Sequence, residues 1–259
     1  MARTPSWGSI RKRSKQLIKQ RVAIVTGAGS GIGRATALRL AAQGDRTVLL
    51  DRDGAAAKRV ATEIGDTASA YAVDVDVVDT AAINAAVDKV SEAFGRIDIL
   101  INNAGGGSGA RLLEVDAENW DAMLALNVTS ALRLIQAVAP VMARGGGGAI
   151  VNVASLAARF ASPKGGAGYS AAKAALLALS RQAASELAPS GIRVNSVLPG
   201  PTRTELTRAS LRTDQSFPLG RWVEAEDIAA AIAFLAGDSA RMCTGVELVV
   251  DGGFSLALG

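Results

Sequence analysis

The chain has 259 residues, 49% of them hydrophobic and 20% charged, long enough for one large domain or two small ones and too apolar for a disordered chain. With no histidine and one cysteine it excludes a Ser-His-Asp hydrolase, an internal disulfide and a histidine- or cysteine-built metal centre, so no metal is expected. Seven basic residues and no acid stand in the first 21, so the remainder carries a net −3 against the total of +4.

Residues 1–20 therefore read as a basic arm, a solvated terminus whose other readings are contact with nucleic acid or an anionic membrane, or a targeting peptide. No secretory-type apolar run follows it, and no stretch of ~18 apolar residues is expected to span a membrane. Residues 22–26, a short β-branched run, predict a buried strand. Residues 34–43, rich in alanine and leucine and stopped by Gly44, predict a helix. Between them lies Gly27-Ala28-Gly29-Ser30-Gly31-Ile32-Gly33. Glycines between a strand and a helix let backbone amides approach a pyrophosphate at the positive end of the helix, so Gly27, Ser30, Gly31, Ile32 and Gly33 are candidate dinucleotide contacts. The next strand, 47–51, ends in Asp51, 18 residues beyond Gly33. A carboxylate there accepts from both ribose hydroxyls and repels a 2′-phosphate, which favours NAD over NADP; the adjacent Arg52 is the group that could bind such a phosphate instead.

The alternation continues with helix 54–64, strand 69–73, helix 80–94 and strand 97–101. A long helical stretch, 117–143, carries Asn127 and is expected to be kinked or interrupted at Pro140. Strand 149–153 runs into Ser155, helix 169–187 is followed by strand 192–198, and helix 225–235 by the last strand, 245–250. Seven strands with helical crossovers predict one doubly wound parallel sheet with helices on both faces. Gly27, Asp51, Asp74, Asn103, Ser155 and Pro199 all fall where strands end, the edge at which open parallel sheets bind ligands. Tyr169 and Lys173, four residues apart, share one face of their helix. In a chain without histidine, a phenol beside an ammonium is the available acid–base pair.

Jointly, Thr26 to Gly33, Asn102-Asn103-Ala104-Gly105, Ser155, Tyr169 to Lys173, Pro199-Gly200, Thr244-Gly245 and Asp251-Gly252-Gly253 resemble the short-chain dehydrogenase/reductase family, from Arg21 to the end. The resemblance implies a single-domain Rossmann fold in which residues 21–259 form the dinucleotide-binding and catalytic domain. It makes Tyr169 the acid or base, with Lys173 lowering its pKa by charge and binding the nicotinamide ribose. Ser155 would orient the substrate oxygen, and Asn127 would anchor a water linking Lys173 to solvent. Asp74 and Val75 would flank adenine, Asn103 would lie by the adenosine ribose, and Thr202 and Thr204 would face the nicotinamide. Ser30 stands where NADP-preferring relatives often carry a basic residue, in agreement with Asp51.

The expected activity is NAD-dependent interconversion of a secondary alcohol and a ketone. A homotetramer in the cytoplasm is implied, with a small-molecule partner and no nucleic acid. The alternatives are an NADPH-dependent 3-oxoacyl-carrier-protein reductase and, from another class, a dinucleotide-sensing binding protein, for which an intact Ser155, Tyr169 and Lys173 set has no use. Leu156, Phe160, Leu198, Leu206, Leu211 and Phe217 are the expected cleft residues and suggest an apolar or mixed substrate. Ser155 and Tyr169 stand 14 residues apart, about one more than the family commonly shows, with the surplus in the glycine-rich loop 162–168.

Overall fold

The computed structural model describes residues 20–65, 70–162, 164–207 and 214–257. All of the basic arm but Gln20, together with Ser69, Pro163, Leu211 and the side chain of Leu206, lies outside the described residues. Seven strands form one sheet: β1 (Val22–Thr26), β2 (Arg46–Asp51), β3 (Ala70–Asp74), β4 (Ile99–Asn102), β5 (Gly148–Val153), β6 (Ile192–Pro199) and, after two short strands given below, β9 (Glu247–Val250). Their spatial order is β3-β2-β1-β4-β5-β6-β9, every pairing parallel, so the order reverses between β1 and β4. This is the expected doubly wound sheet.

Period-two alternation explains why both faces are covered. Val22, Ile24, Val48, Leu50, Leu100 and Ile150 point to one side. There they meet α3 (Thr80–Phe94), α5 (Ser130–Arg144) and the distal half of α6 (Ala167–Leu187) through residues such as Val87, Leu134 and Ala183. Ala23, Val25, Leu49, Ile99, Ile101 and Val151 point to the other, toward α1 (Gly31–Ala42), α2 (Gly54–Ile64) and α7 (Ala225–Ala236) through residues such as Leu40, Val60 and Ile228. A sheet buried on both faces needs apolar residues at consecutive positions, which is why β1 is uniformly buried.

Three local findings differ from the sequence reading. Helix α1 begins at Gly31, inside the glycine loop, which puts its free amides at the crevice. The helix through Pro140 is not interrupted there; the irregularity falls earlier, where α4 (Ala117–Leu124) passes into α5 through a π turn at Ala125–Thr129 that contains Asn127. A two-stranded parallel ladder, β7 (Thr202–Arg203) with β8 (Val223–Glu224), ties the segment after β6 to the start of α7. The 28-residue run Ala117–Arg144 is long enough to cross a membrane and holds an 18-residue window of mean hydropathy 1.4, but polar and charged residues such as Asn127 and Arg133 interrupt it. Leu134, Val138 and Met142 are buried in the layer beneath the sheet, the ordinary setting of a core helix.

Candidate active site

The carboxyl ends of β1, β2 and β4 meet around Thr26. Its hydroxyl accepts from the backbone N–H groups of Asn103 (2.9 Å) and Ala104 (3.0 Å). The Asn103 amide donates to the carbonyls of Thr26 (2.9 Å) and Gly27 (3.2 Å). Asn103 thus positions the glycine loop from the neighbouring strand. Gly27 and Gly31 take positive φ (61° and 50°), turning the chain from strand to helix in a conformation that other residues rarely adopt. A Cβ on Gly33 would be driven into the Gly27 carbonyl oxygen, and one on Gly29 would come 2.9 Å from Asp51 Oδ2. These absent side chains leave an open crevice of about 510 Å³ lined by Gly29, Ser30, Gly31, Arg34, Asp51, Asp53, Ala56, Arg59 and Glu205.

Asp51 stands in this crevice as expected. Its Oδ2 accepts from Gly29 N–H (2.8 Å) and its Oδ1 from Asp53 N–H (2.9 Å). Each carboxylate oxygen keeps a second lone pair, so the group is oriented and still able to accept. The basic residues beside it are Arg34 and Arg59, whereas Arg52 is exposed and does not line the crevice. Ser30 precedes α1, exposed at the rim, and Ile32 packs against the core. Asp74 is exposed at the end of β3 and packs against Gly54. Val75 differs from expectation: its side chain is in the core and its N–H donates to the Asp51 carbonyl, so it offers a ligand backbone only.

Thr204 closes over the glycine loop, its methyl 3.4 Å from where a Gly31 Cβ would stand. Thr202 is buried, its hydroxyl donating to the Gly200 carbonyl. Thr207, which the sequence reading missed, ties both together: its Oγ accepts from Thr204 N–H and lies 2.5 Å from the Thr202 carbonyl oxygen to which it donates.

Further along the edge, β5 delivers Ser155 and α6 delivers Tyr169 and Lys173. Ser155 Oγ accepts from Ala157 N–H (3.1 Å), capping a short 3₁₀ turn, and is also hydrogen-bonded to the Tyr169 phenol. Lys173 is fully buried, with Nζ donating to the Val153 carbonyl (2.7 Å) and lying 5.6 Å from the Tyr169 ring centroid. Burial lowers its pKa from 10.5 to about 8. For Tyr169 the expected lowering is not found: burial, the larger influence, raises the phenol above its usual 10, and the Ser155 hydrogen bond offsets only part of it. In this geometry desolvation outweighs the neighbouring ammonium.

Asn127 is buried in the π turn. Its Nδ2 donates to the carbonyls of Gly106 (2.9 Å) and Met123 (3.0 Å), and its Oδ1 accepts from Gly106 N–H (3.1 Å). A Cβ on Gly105 would touch both Asn127 Oδ1 and Lys173 Nζ, so Gly105 is what lets the loop after β4 pass between them. That loop lies on the glycine-rich one before α6. Gly109 N–H donates to the Gly165 carbonyl (3.3 Å), and a Cβ on Gly107 would meet the Gly165 backbone at 2.8 Å. The expected apolar cleft does not form as predicted, because Leu156, Leu198 and Phe217 are buried core residues. Among the described residues no group of acids, cysteines or histidines is arranged to hold a metal ion.

The family model for enoyl-(acyl carrier protein) reductase matches residues 27–255, a span holding both the glycine loop and the Ser155, Tyr169 and Lys173 group. The chain belongs to the short-chain dehydrogenase/reductase family. It is 40% identical to the D-threitol dehydrogenase of Mycolicibacterium smegmatis, over 91% of this chain and 93% of that one. It is 38% identical to a galactitol 2-dehydrogenase (L-tagatose-forming) of Cereibacter sphaeroides, over 90% and 94%. The crystal structure of a 3-ketoacyl-(acyl-carrier-protein) reductase from Brucella melitensis complexed with NADH superposes with a TM-score of 0.85 at 38% identity, covering 92% of this chain and 99% of that one. As a member of the family, the protein is an oxidoreductase acting on alcohols and ketones with a nicotinamide dinucleotide.

Proposed function

We propose that the protein is an NAD-dependent dehydrogenase interconverting a small polar secondary alcohol, of polyol type, and the corresponding ketone. The observation that carries this reading is the pairing of Asp51, oriented at the glycine crevice, with a hydrogen-bonded Ser155 and Tyr169 beside a buried Lys173 on the same sheet edge. The glycine cradle supports the fit of a dinucleotide: Gly29 lines the crevice without a side chain, and Gly33, where a Cβ would strike the Gly27 carbonyl, lets the loop close tightly onto the start of α1. When bound, the dinucleotide takes up or gives back the hydride. In this reading Gly27, Ser30, Gly31, Ile32 and Gly33 present backbone to its phosphates, and Asp51 accepts from its adenosine ribose. Asp74, Val75 and Asn103 border the adenosine half, and Thr202 and Thr204 the nicotinamide half.

Ser155 holds the substrate oxygen, and Tyr169 Oη receives the proton from the alcohol or returns it to the ketone. The Ser155 hydrogen bond favours the phenolate, while Lys173 stands ready to gain or lose a proton near pH 8. Asn127 fixes the Gly105–Gly106 backbone beside Lys173 and with it the route by which that proton reaches solvent. A polar substrate is favoured by the likeness to threitol and galactitol dehydrogenases, and by glycine-rich loops beside Tyr169 that carry Ser108 and Lys164. The likeness to the Brucella reductase favours a second reading, a 3-oxoacyl thioester reductase. We further propose a homotetramer and no nucleic-acid role. Initial rates across a panel of polyols and 3-oxoacyl thioesters with NAD(H) and NADP(H) test both readings. Turnover confined to thioesters with NADPH would overturn the first.

A further inference from the structure

We propose that Glu63 determines cofactor choice from outside the crevice, by holding Arg34 away from the position a 2′-phosphate would occupy. The inference rests on the NAD reading and extends it to a residue that need not touch the ribose. The ribose end of the crevice is not simply acidic. Arg34 and Arg59 line it together with Asp51, Asp53 and Glu205. A guanidinium is the side chain best shaped for a phosphate monoester, so two of them beside a ribose site would ordinarily favour the phosphorylated cofactor and oppose Asp51.

Both are already engaged. Arg34, on the first turns of α1, makes a two-pronged ion pair with Glu63 at the end of α2: Nε donates to Oε2 at 3.0 Å and Nη2 to Oε1. Arg59 lies 3.9 Å from Asp53, whose carboxylate also caps α2 by accepting from Ala55 and Ala56 N–H. Arg59 is therefore only loosely held, whereas Arg34 has the Nε–Nη2 edge of its guanidinium taken up by Glu63. Among the described residues the Glu63 carboxylate bonds Arg34 alone, and 43% of its side chain is exposed, so its role is not explained by packing. The parallel β1–β2 pairing sets α1 beside α2, so that Arg34 in the first turn of α1 meets Glu63 near the end of α2, 29 residues on in sequence.

Removing the negative charge of Glu63 leaves Arg34 free to swing to an anion at the ribose. In Glu63→Gln, the dissociation constant for NADPH, measured by fluorescence titration at low salt, is expected to fall about three- to tenfold, the modest scale of exposed charge pairs. The constant for NADH should stay within about twofold, and the gain should shrink in ~0.5 M salt. In the double variant Glu63→Gln/Arg34→Gln the gain should vanish. An unchanged NADH-to-NADPH preference in Glu63→Gln overturns the proposal. So does a gain that survives loss of Arg34, since that would report net charge alone. A parent enzyme binding NADPH more tightly than NADH would overturn the NAD reading, while the ratio of Glu63→Gln to parent still judges Glu63.

Discussion

Around the glycine loop the site is made of backbone: Gly27, Gly29, Gly31 and Gly33 bring main-chain atoms together, and Thr26 and Asn103 pin them from the neighbouring strands. Around Tyr169 it is made of side chains, a half-buried phenol and hydroxyl beside a buried ammonium. The first region has no room for an added methyl at Gly29 or Gly33, and its charges, Asp51, Arg34 and Arg59, line the open crevice. The second has charges whose state depends on burial. Damage to one is therefore steric and shows as loss of fold and binding; damage to the other is chemical and leaves the fold standing.

The comparison can be broken by experiment. Tyr169→Phe should lower kcat about 10²- to 10⁴-fold while the melting temperature and NADH affinity stay near the parent's; unchanged turnover would remove Tyr169 from the chemistry. Gly33→Ala should cost about 3 kcal/mol in urea denaturation through overpacking, whereas Gly106→Ala, with open space around its Cβ, should stay within about 0.5 kcal/mol. Equal costs at the two glycines would erase the steric side of the contrast.

Lys173 sharpens the chemical side. Its folded pKa of about 8 lies below the ordinary 10.5, so below pH 8 both folded and unfolded states are charged and the full burial penalty applies. Between pH 8 and 10.5 the unfolded chain binds more protons, so stability should rise with pH, by at most about 3 kcal/mol. In Lys173→Met that rise should be missing when denaturation curves are compared across the window. The smallest effect is expected at Thr207→Val, about 1 kcal/mol from hydrogen bonds lost in the 202–207 segment, with kcat less affected than the KM for cofactor.

Strands and the glycine loop were legible in the sequence because period-two burial and glycines between a strand and a helix are local patterns. So was the Tyr169–Lys173 pair, fixed by one helical turn. Thr207 was not, because its role comes from a tight turn in which one hydroxyl serves two neighbouring threonines. Neither was the Arg34–Glu63 pair, which exists only once β1 and β2 align. The direction of the Tyr169 shift was misread for a related reason: spacing reports a nearby charge, while desolvation depends on everything packed around the ring. Leu198 and Phe217 were expected at the cleft because they flank it in sequence, but a leucine or phenylalanine beside a site is more often part of the wall that supports it.

The π turn at Ala125–Thr129 takes up one more residue than a regular helix would, because its bonds reach five residues back instead of four. Deleting one residue there would give the chain a straighter and more regular helix. It would also rotate α4 relative to α5 and carry the Asn127 amide away from Gly106. Selection for heat resistance alone would therefore pull this segment one way and selection for turnover the other.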